Sequence, residues 1–143
     1  MVSCTEFIPA YSELFHFLEK KEGEEGVMKY WEYISDEYVK PLLAPLLEEF
    51  GIEGCYKYWG KTLNEEAADF EMTLDGNNFC INMIHCPSKG RLLSYKHITP
   101  YHNYCGHCAV LYKRVFEKYG LSQDYDMSCT DRAKCVLKIF KKD

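Results

Sequence analysis

The chain has 143 residues, 27% of them charged, with a formal net charge of -5. That length suits one domain with a sizeable core, and the acidic balance argues against a nucleic-acid or anionic-membrane surface. No apolar run approaches a membrane span, and Met1–Glu6 lacks the charged-then-apolar pattern of a signal peptide. The expected setting is therefore the cytoplasm, where thiols stay reduced, so the 8 cysteines point to metal or chemistry rather than disulfides. The lysines near the C-terminus, Lys134, Lys138, Lys141 and Lys142, read as a solvated strand face.

Ser3 or Thr5 can cap a first short helix whose Phe7, Tyr11, Leu14, Phe15 and Leu18 recur at helical spacing; the charged stretch to Gly23 ends it. A second helix begins near Glu24 or Glu25, where acids suit the positive helix end, and turns Val27, Tyr30, Trp31, Ile34 and Tyr38 inward. Pro41 and Pro45 then break or kink the path. Leu42, Leu43, Leu46, Leu47 and Phe50 make a further helix stopped at Gly51. Gly54 to Leu63 is another, with Tyr56, Trp59 and Leu63 inward.

At Ala68 the period changes. Phe70, Met72 and Leu74 alternate with polar residues, Asp75–Asn78 is a turn signal, and Phe79, Ile81 and Met83 alternate again. These residues predict a β-hairpin. Ser88 to Tyr95 predicts a short helix or turn. Tyr104, Cys108, Leu111, Tyr112, Val115 and Tyr119 share one helical face, closed by Gly120. Tyr125–Cys129 and Lys134–Lys141 predict two last strands around Thr130–Asp131. The predicted fold class is α+β: N-terminal helices packed on an antiparallel sheet built from two β-hairpins with a helix between them. The expected organisation is a single domain over 1–143, with a helical part (1–63) and a hairpin-helix-hairpin part (64–143) that carries most of the Cys and His.

Cys105 and Cys108 fall in the first turn of a predicted helix, where both thiols face one way and the positive helix end favours thiolate. Cys-Gly-His-Cys is also the active-site tetrapeptide of protein disulfide isomerases. That fold needs a buried strand just before the motif and a proline downstream, and neither is present here. Metal binding suits the spacing better. A helix-borne thiolate from Cys105 or Cys108 would meet Asp126, Cys129 and Cys135 in a four-coordinate zinc site. In a regular strand Asp126 and Cys129 face opposite sides, so this site needs a turn or bulge between them. For Cys135 the alternative is core packing.

Cys86 ends a strand, a rigid and accessible place for a nucleophile, with His102 or His107 as a base from elsewhere. Lys89 and Arg91 stand just beyond it, where they can pair with a substrate carboxylate or simply carry surface charge. Glu65, Glu66 and Asp69 mark the junction into the sheet, where an acid can act as proton donor or acceptor. The many tyrosines suit a ligand cavity and suit an ordinary core equally well.

The run Cys86-Pro87-Ser88-Lys89-Gly90-Arg91-Leu92, then Tyr104-Cys105-Gly106-His107-Cys108 with Leu111-Tyr112, then Cys135, resembles the L-2-amino-thiazoline-4-carboxylic acid hydrolase family. Tyr58-Trp59 and Asn64-Glu65-Glu66-Ala67 add to the resemblance, which covers roughly residues 50 to 141. It implies a hydrolase that opens a cyclic amidine bearing a carboxylate to a carbamoyl-cysteine. Cys86, Cys105, His107 and Glu66 are then the expected catalytic residues, with Arg91, Lys89 and Tyr104 binding substrate.

The closing pattern is similar, more distantly, to 4-vinyl-reductase-type small-molecule-binding domains. That likeness implies a ligand cavity between helices and sheet, zinc on Cys105 or Cys108 with Asp126, Cys129 and Cys135, and a homodimer. Glutamate is the usual acid in that pattern, so Asp126 is a departure. The alternative to the hydrolase is accordingly a zinc-stabilised ligand-binding or sensory module without turnover. Neither reading calls for nucleic acid or a membrane.

Overall fold

The structure, a computed structural model, describes residues 4–142. Ser3, one of the two expected caps, lies outside the described residues. Helix α1 (Cys4–Ile34) is broken at Gly23, whose φ of 73 lies where only glycine sits without strain. The two halves fold back on each other, so that Phe15 meets Trp31 with ring centroids 5.3 Å apart and Tyr11 meets Tyr30 at 6.4 Å. The sequence break at Glu19–Gly23 is thus the bend of a helical hairpin.

Of the break or kink expected at the two prolines, no break occurs. Pro41 has no N–H to give the carbonyl one turn back, and the helix widens ahead of it into a π-helical segment (Ser35–Val39). There Lys40 N–H reaches back to Ser35 O, and α2 (Lys40–Phe50) continues with Pro45 inside it. Ser35 is fully buried and donates to Leu111 O at 2.7 Å, which ties the widened turn to helix α5 (Gly106–Glu117). Gly51, at φ 60, ends α2. Helix α3 (Glu53–Glu65) then returns against it so closely that a Cβ on Gly54 would lie 2.5 Å from Leu46 O.

Strands β1 (Asp69–Asp75), β2 (Asn78–His85), β3 (Leu121–Asp126) and β4 (Cys135–Lys141) form one antiparallel sheet in the order β1-β2-β4-β3. The α+β expectation holds, with helices leading the chain and two hairpins making the sheet. Leu74 pairs with Phe79 and Met72 with Ile81, as the alternation requires. Phe79, Ile81, Met83, Leu137 and Ile139 face the helices, and Trp59 stacks on Phe79 with the rings 12° from parallel. The third strand starts and ends earlier than expected, at Leu121 and Asp126. It ends there because the Asp126 carboxylate accepts from Ser128 N–H at 2.9 Å, a local turn that competes with the ladder.

Helix α4 (Pro87–Ser94) and the connection from Tyr95 to Cys105 cross the open side of the α1 hairpin. Buried Ser12 accepts from Tyr101 N–H at 2.9 Å, His16 Nε2 meets Thr99 O at 2.9 Å, and Glu19 takes both Tyr101 Oη and His102 Nε2. These bonds fix where α5 begins. No helix among the described residues is long and apolar enough to cross a membrane.

Candidate functional site

Between the α1 hairpin and the sheet lies a cavity of about 570 Å³. Its walls are mostly aromatic and thiol-bearing: Tyr11, Tyr58, Trp59, Tyr104, Tyr112 and Tyr125, with Cys86, Cys105, Cys108 and Cys135. The π-helical segment adds Tyr38 at the mouth, opposite Phe7 of the first turn of α1, and both rings are largely exposed. A volume of this size holds a small ring-bearing ligand.

Each thiol is placed by a different element. Cys86 caps α4: its sulfur accepts from Lys89 N–H at 3.5 Å, and its own N–H donates to Ala133 O at 2.8 Å. Ala133 sits in the left-handed region at φ 57, a conformation that alanine adopts at a cost and that here aims its carbonyl at the cavity wall. Cys105 is the N-cap of α5, and Cys108 lies one turn further along. Cys135 opens β4 beside Tyr125.

Burial governs the acid–base state of these groups. It is the chief cause that pushes Cys105 and Cys108 up to about 11 and Cys135 to about 12, and it also raises Cys86. Mutual repulsion adds to it, since a charge on Cys108 would disfavour one on Cys86, Cys105 or Cys135. The phenols of Tyr104, Tyr112 and Tyr125 are likewise held protonated by burial. The sequence expectation that the helix end would favour thiolate is thus outweighed by desolvation.

The His107 ring is enclosed by aromatic side chains. Its ring packs against Tyr104 at 4.8 Å, Tyr11 at 5.3 Å, Phe15 at 5.9 Å and Trp31 at 6.5 Å. Burial lowers its pKa to about 4, with the carbonyl of Tyr104 opposing that shift through Nδ1. Nε2 lies 3.4 Å from Cys108 Sγ. Nearby, Ser88 Oγ and Tyr104 Oη are 2.6 Å apart.

Of the residues singled out from sequence, Cys86, Cys105, Cys108, Cys135, His107, Tyr104, Lys89 and Glu66 all line this cavity. Arg91 is exposed on α4 and does not line it. Asp126 and Cys129 also stand apart. Asp126 is exposed and turned onto Ser128, and Cys129 Sγ accepts from Arg132 at 3.1 Å. The expected zinc donors therefore do not converge. Among the described residues, only Glu19, Glu24 and His102 bring three donor atoms within 4.8 Å of one another, at the surface beside the Gly23 bend. His102, offered as a base for Cys86, is instead bonded to Glu19 at 2.8 Å.

Sequence reasoning did not single out Ser88, Lys134 or Tyr125 as site residues. The Ser88–Tyr104 pair spans two elements and leaves no periodic trace, whereas Tyr11 and Tyr112 were legible only as inward positions. No family model, curated protein or solved structure matches the chain.

Proposed function

We propose that this chain is a hydrolase that opens a small cyclic amidine, such as 2-amino-thiazoline-4-carboxylate, inside the cavity. The observation that carries the reading is the gathering of four thiols and an imidazole in one aromatic-walled chamber of about 570 Å³. A flat heterocycle suits those ring faces. Ring opening adds water to the carbon between nitrogen and sulfur, and the ring nitrogen needs a proton. The Ser88–Tyr104 hydroxyl pair is a protonated donor in the chamber, and the Lys89 ammonium stands where a ligand carboxylate can meet it. Lys89 takes the part that the sequence shared with Arg91. Glu66, exposed at the rim, is placed to exchange protons with solvent. No step is assigned to zinc, because its expected donors lie apart.

One observation favours a second reading, ligand binding without turnover: every cavity thiol is held protonated. The two readings separate in one experiment. The chain is incubated with 2-amino-thiazoline-4-carboxylate, product is followed by mass spectrometry, and binding is followed by tryptophan fluorescence, to which the cavity-lining Trp59 contributes. The hydrolase reading expects a carbamoyl product in step with a saturable change in emission. Saturable binding without product selects the second reading, and neither signal rejects both.

A further inference from the structure

We propose that Cys108, with His107 as its base, is the nucleophile of this cavity, in place of the strand-end Cys86 that the sequence favours. The proposal rests on the hydrolase reading for its substrate but on the geometry alone for the identity of the thiol.

The tautomer of His107 is fixed by its neighbours. Nδ1 lies against the Tyr104 carbonyl. A carbonyl only accepts, so Nδ1 carries the hydrogen and Nε2 presents its lone pair. That lone pair faces Cys108 Sγ at 3.4 Å, so the thiol donates to it. The four rings around the imidazole hold it in that orientation. Nucleophile, base and a backbone group that orients the base are thus in place, which is the arrangement an activated thiol requires.

The other cavity thiols lack this arrangement. Among the described residues, no other cysteine has an imidazole nitrogen within hydrogen-bonding distance. Lys89 N–H donates to the Cys86 sulfur and favours its thiolate, but no imidazole stands beside Cys86 to take the proton.

The step balances without an oxidant. Sγ of Cys108 bonds to the amidine carbon as the S–H proton passes to Nε2 of His107 and on to the ring nitrogen. The bond from that carbon to the ring sulfur then breaks, and the departing sulfur takes a proton from a nitrogen of the adduct. The adduct retains every atom of the ligand as an isothiourea on Cys108. Solvent water adds to the same carbon, the Cys108–carbon bond breaks, the thiol regains a proton, and the carbamoyl product leaves. The protonated imidazole is a poor resting state in this enclosure, so it serves as a relay and not as a store.

The test uses the full chain carrying Cys129→Ser, because that thiol lies outside the cavity and would compete for the reagent. Limiting chloroacetamide at neutral pH is followed by peptide mass mapping. The first label is expected on Cys108. His107→Gln should slow that label by about tenfold or more while leaving Cys86, Cys105 and Cys135 nearly unchanged. Cys86→Ala should leave the Cys108 rate as it was. First label on another cavity thiol, or an unchanged Cys108 rate in a folded His107→Gln variant, overturns the proposal. Should His107→Gln not fold, the site of first labelling in the Cys129→Ser chain still decides, with Cys108→Ser required to abolish that label. Because the probe is not a cyclic amidine, failure of the substrate reading leaves this outcome readable. If the substrate reading also holds, a trapped adduct at Cys108 weighs the chain plus the whole ligand.

Discussion

The core beneath the sheet and the core inside the α1 hairpin are built from different side chains. Beneath the sheet the buried set is chiefly aliphatic and phenyl, and two of its sixteen residues, Tyr58 and Trp59, present an N–H or O–H. Inside the hairpin, the buried set is Phe15, Val27, Trp31, Leu92, Tyr101 and Tyr104, with Tyr11 and Tyr30 packed against it. Half of those six present an N–H or O–H, and Trp31 Nε1 is buried without a partner. An apolar group needs only to be covered, whereas a buried polar group must also be aimed. The first core therefore supplies most of the stability, and the second holds His107 and the start of α5 in place. The cavity is the seam between them.

The largest effect that follows from this contrast is on the first core. Phe116 is fully buried beside Trp59, 6.0 Å between ring centroids. Phe116→Ala should cost about 3–5 kcal/mol in urea unfolding, through lost burial and the cavity left behind. Alkylation of Cys108 under native conditions should change little, because no ring around His107 has moved. A loss of Cys108 reactivity as large as the loss of stability would mean that the two cores do not act separately.

A smaller effect, confined to pH, marks the second core. Burial lowers His107 from its ordinary 6.5 to about 4, so the unfolded chain binds this proton more readily than the folded one. Stability from this group is fully present above pH 6.5 and is lost as pH falls towards 4. It amounts to at most about 3 kcal/mol. Glu19, held below the ordinary carboxylate range chiefly by His102, works in the same direction, but its share is lost only at lower pH, through the carboxylate range. Melting temperature should therefore fall between neutral and mildly acidic pH, and His107→Gln should flatten that fall. An equal fall in the variant would remove His107 as its source.

The same contrast explains what the sequence disclosed. Period-two alternation at Phe70–Leu74 and Phe79–Met83 announced the first hairpin, because one face of a sheet is buried and a slip of one residue would reverse it. Leu43, Leu47, Trp59 and Val115 followed from helical spacing in the same way. The thiols and His107 were visible as residue types with reactive chemistry, and eight of the candidate positions do line the cavity. Their partners were not visible. Cys108 was read as a metal ligand because spacing shows which residues share a face, not which atom meets which. Its contact with His107 depends on a ring orientation set by Tyr11, Phe15 and Trp31, which lie far back in the chain on α1. Asp126 and Cys129 were drawn into the site by proximity in sequence, and a local side-chain turn took Asp126 elsewhere.

The smallest effect separates the two things that Tyr104 does. Its carbonyl fixes the His107 tautomer, while its hydroxyl meets Ser88 Oγ at 2.6 Å and its ring packs on the imidazole. Tyr104→Phe removes the hydroxyl alone. The carbonyl and the ring remain, so His107 keeps its orientation and the Cys108 alkylation rate should hold. Stability should drop by about 1 kcal/mol, the usual net worth of one such bond. Ligand turnover should suffer more than alkylation does, because the ring nitrogen loses a proton donor that chloroacetamide does not need. If alkylation falls as far as turnover, the hydroxyl acts through the imidazole. The hydrogen-bonded unit would then run from Ser88 through Tyr104 to Cys108, and the second core would have to be counted as part of the reacting machinery.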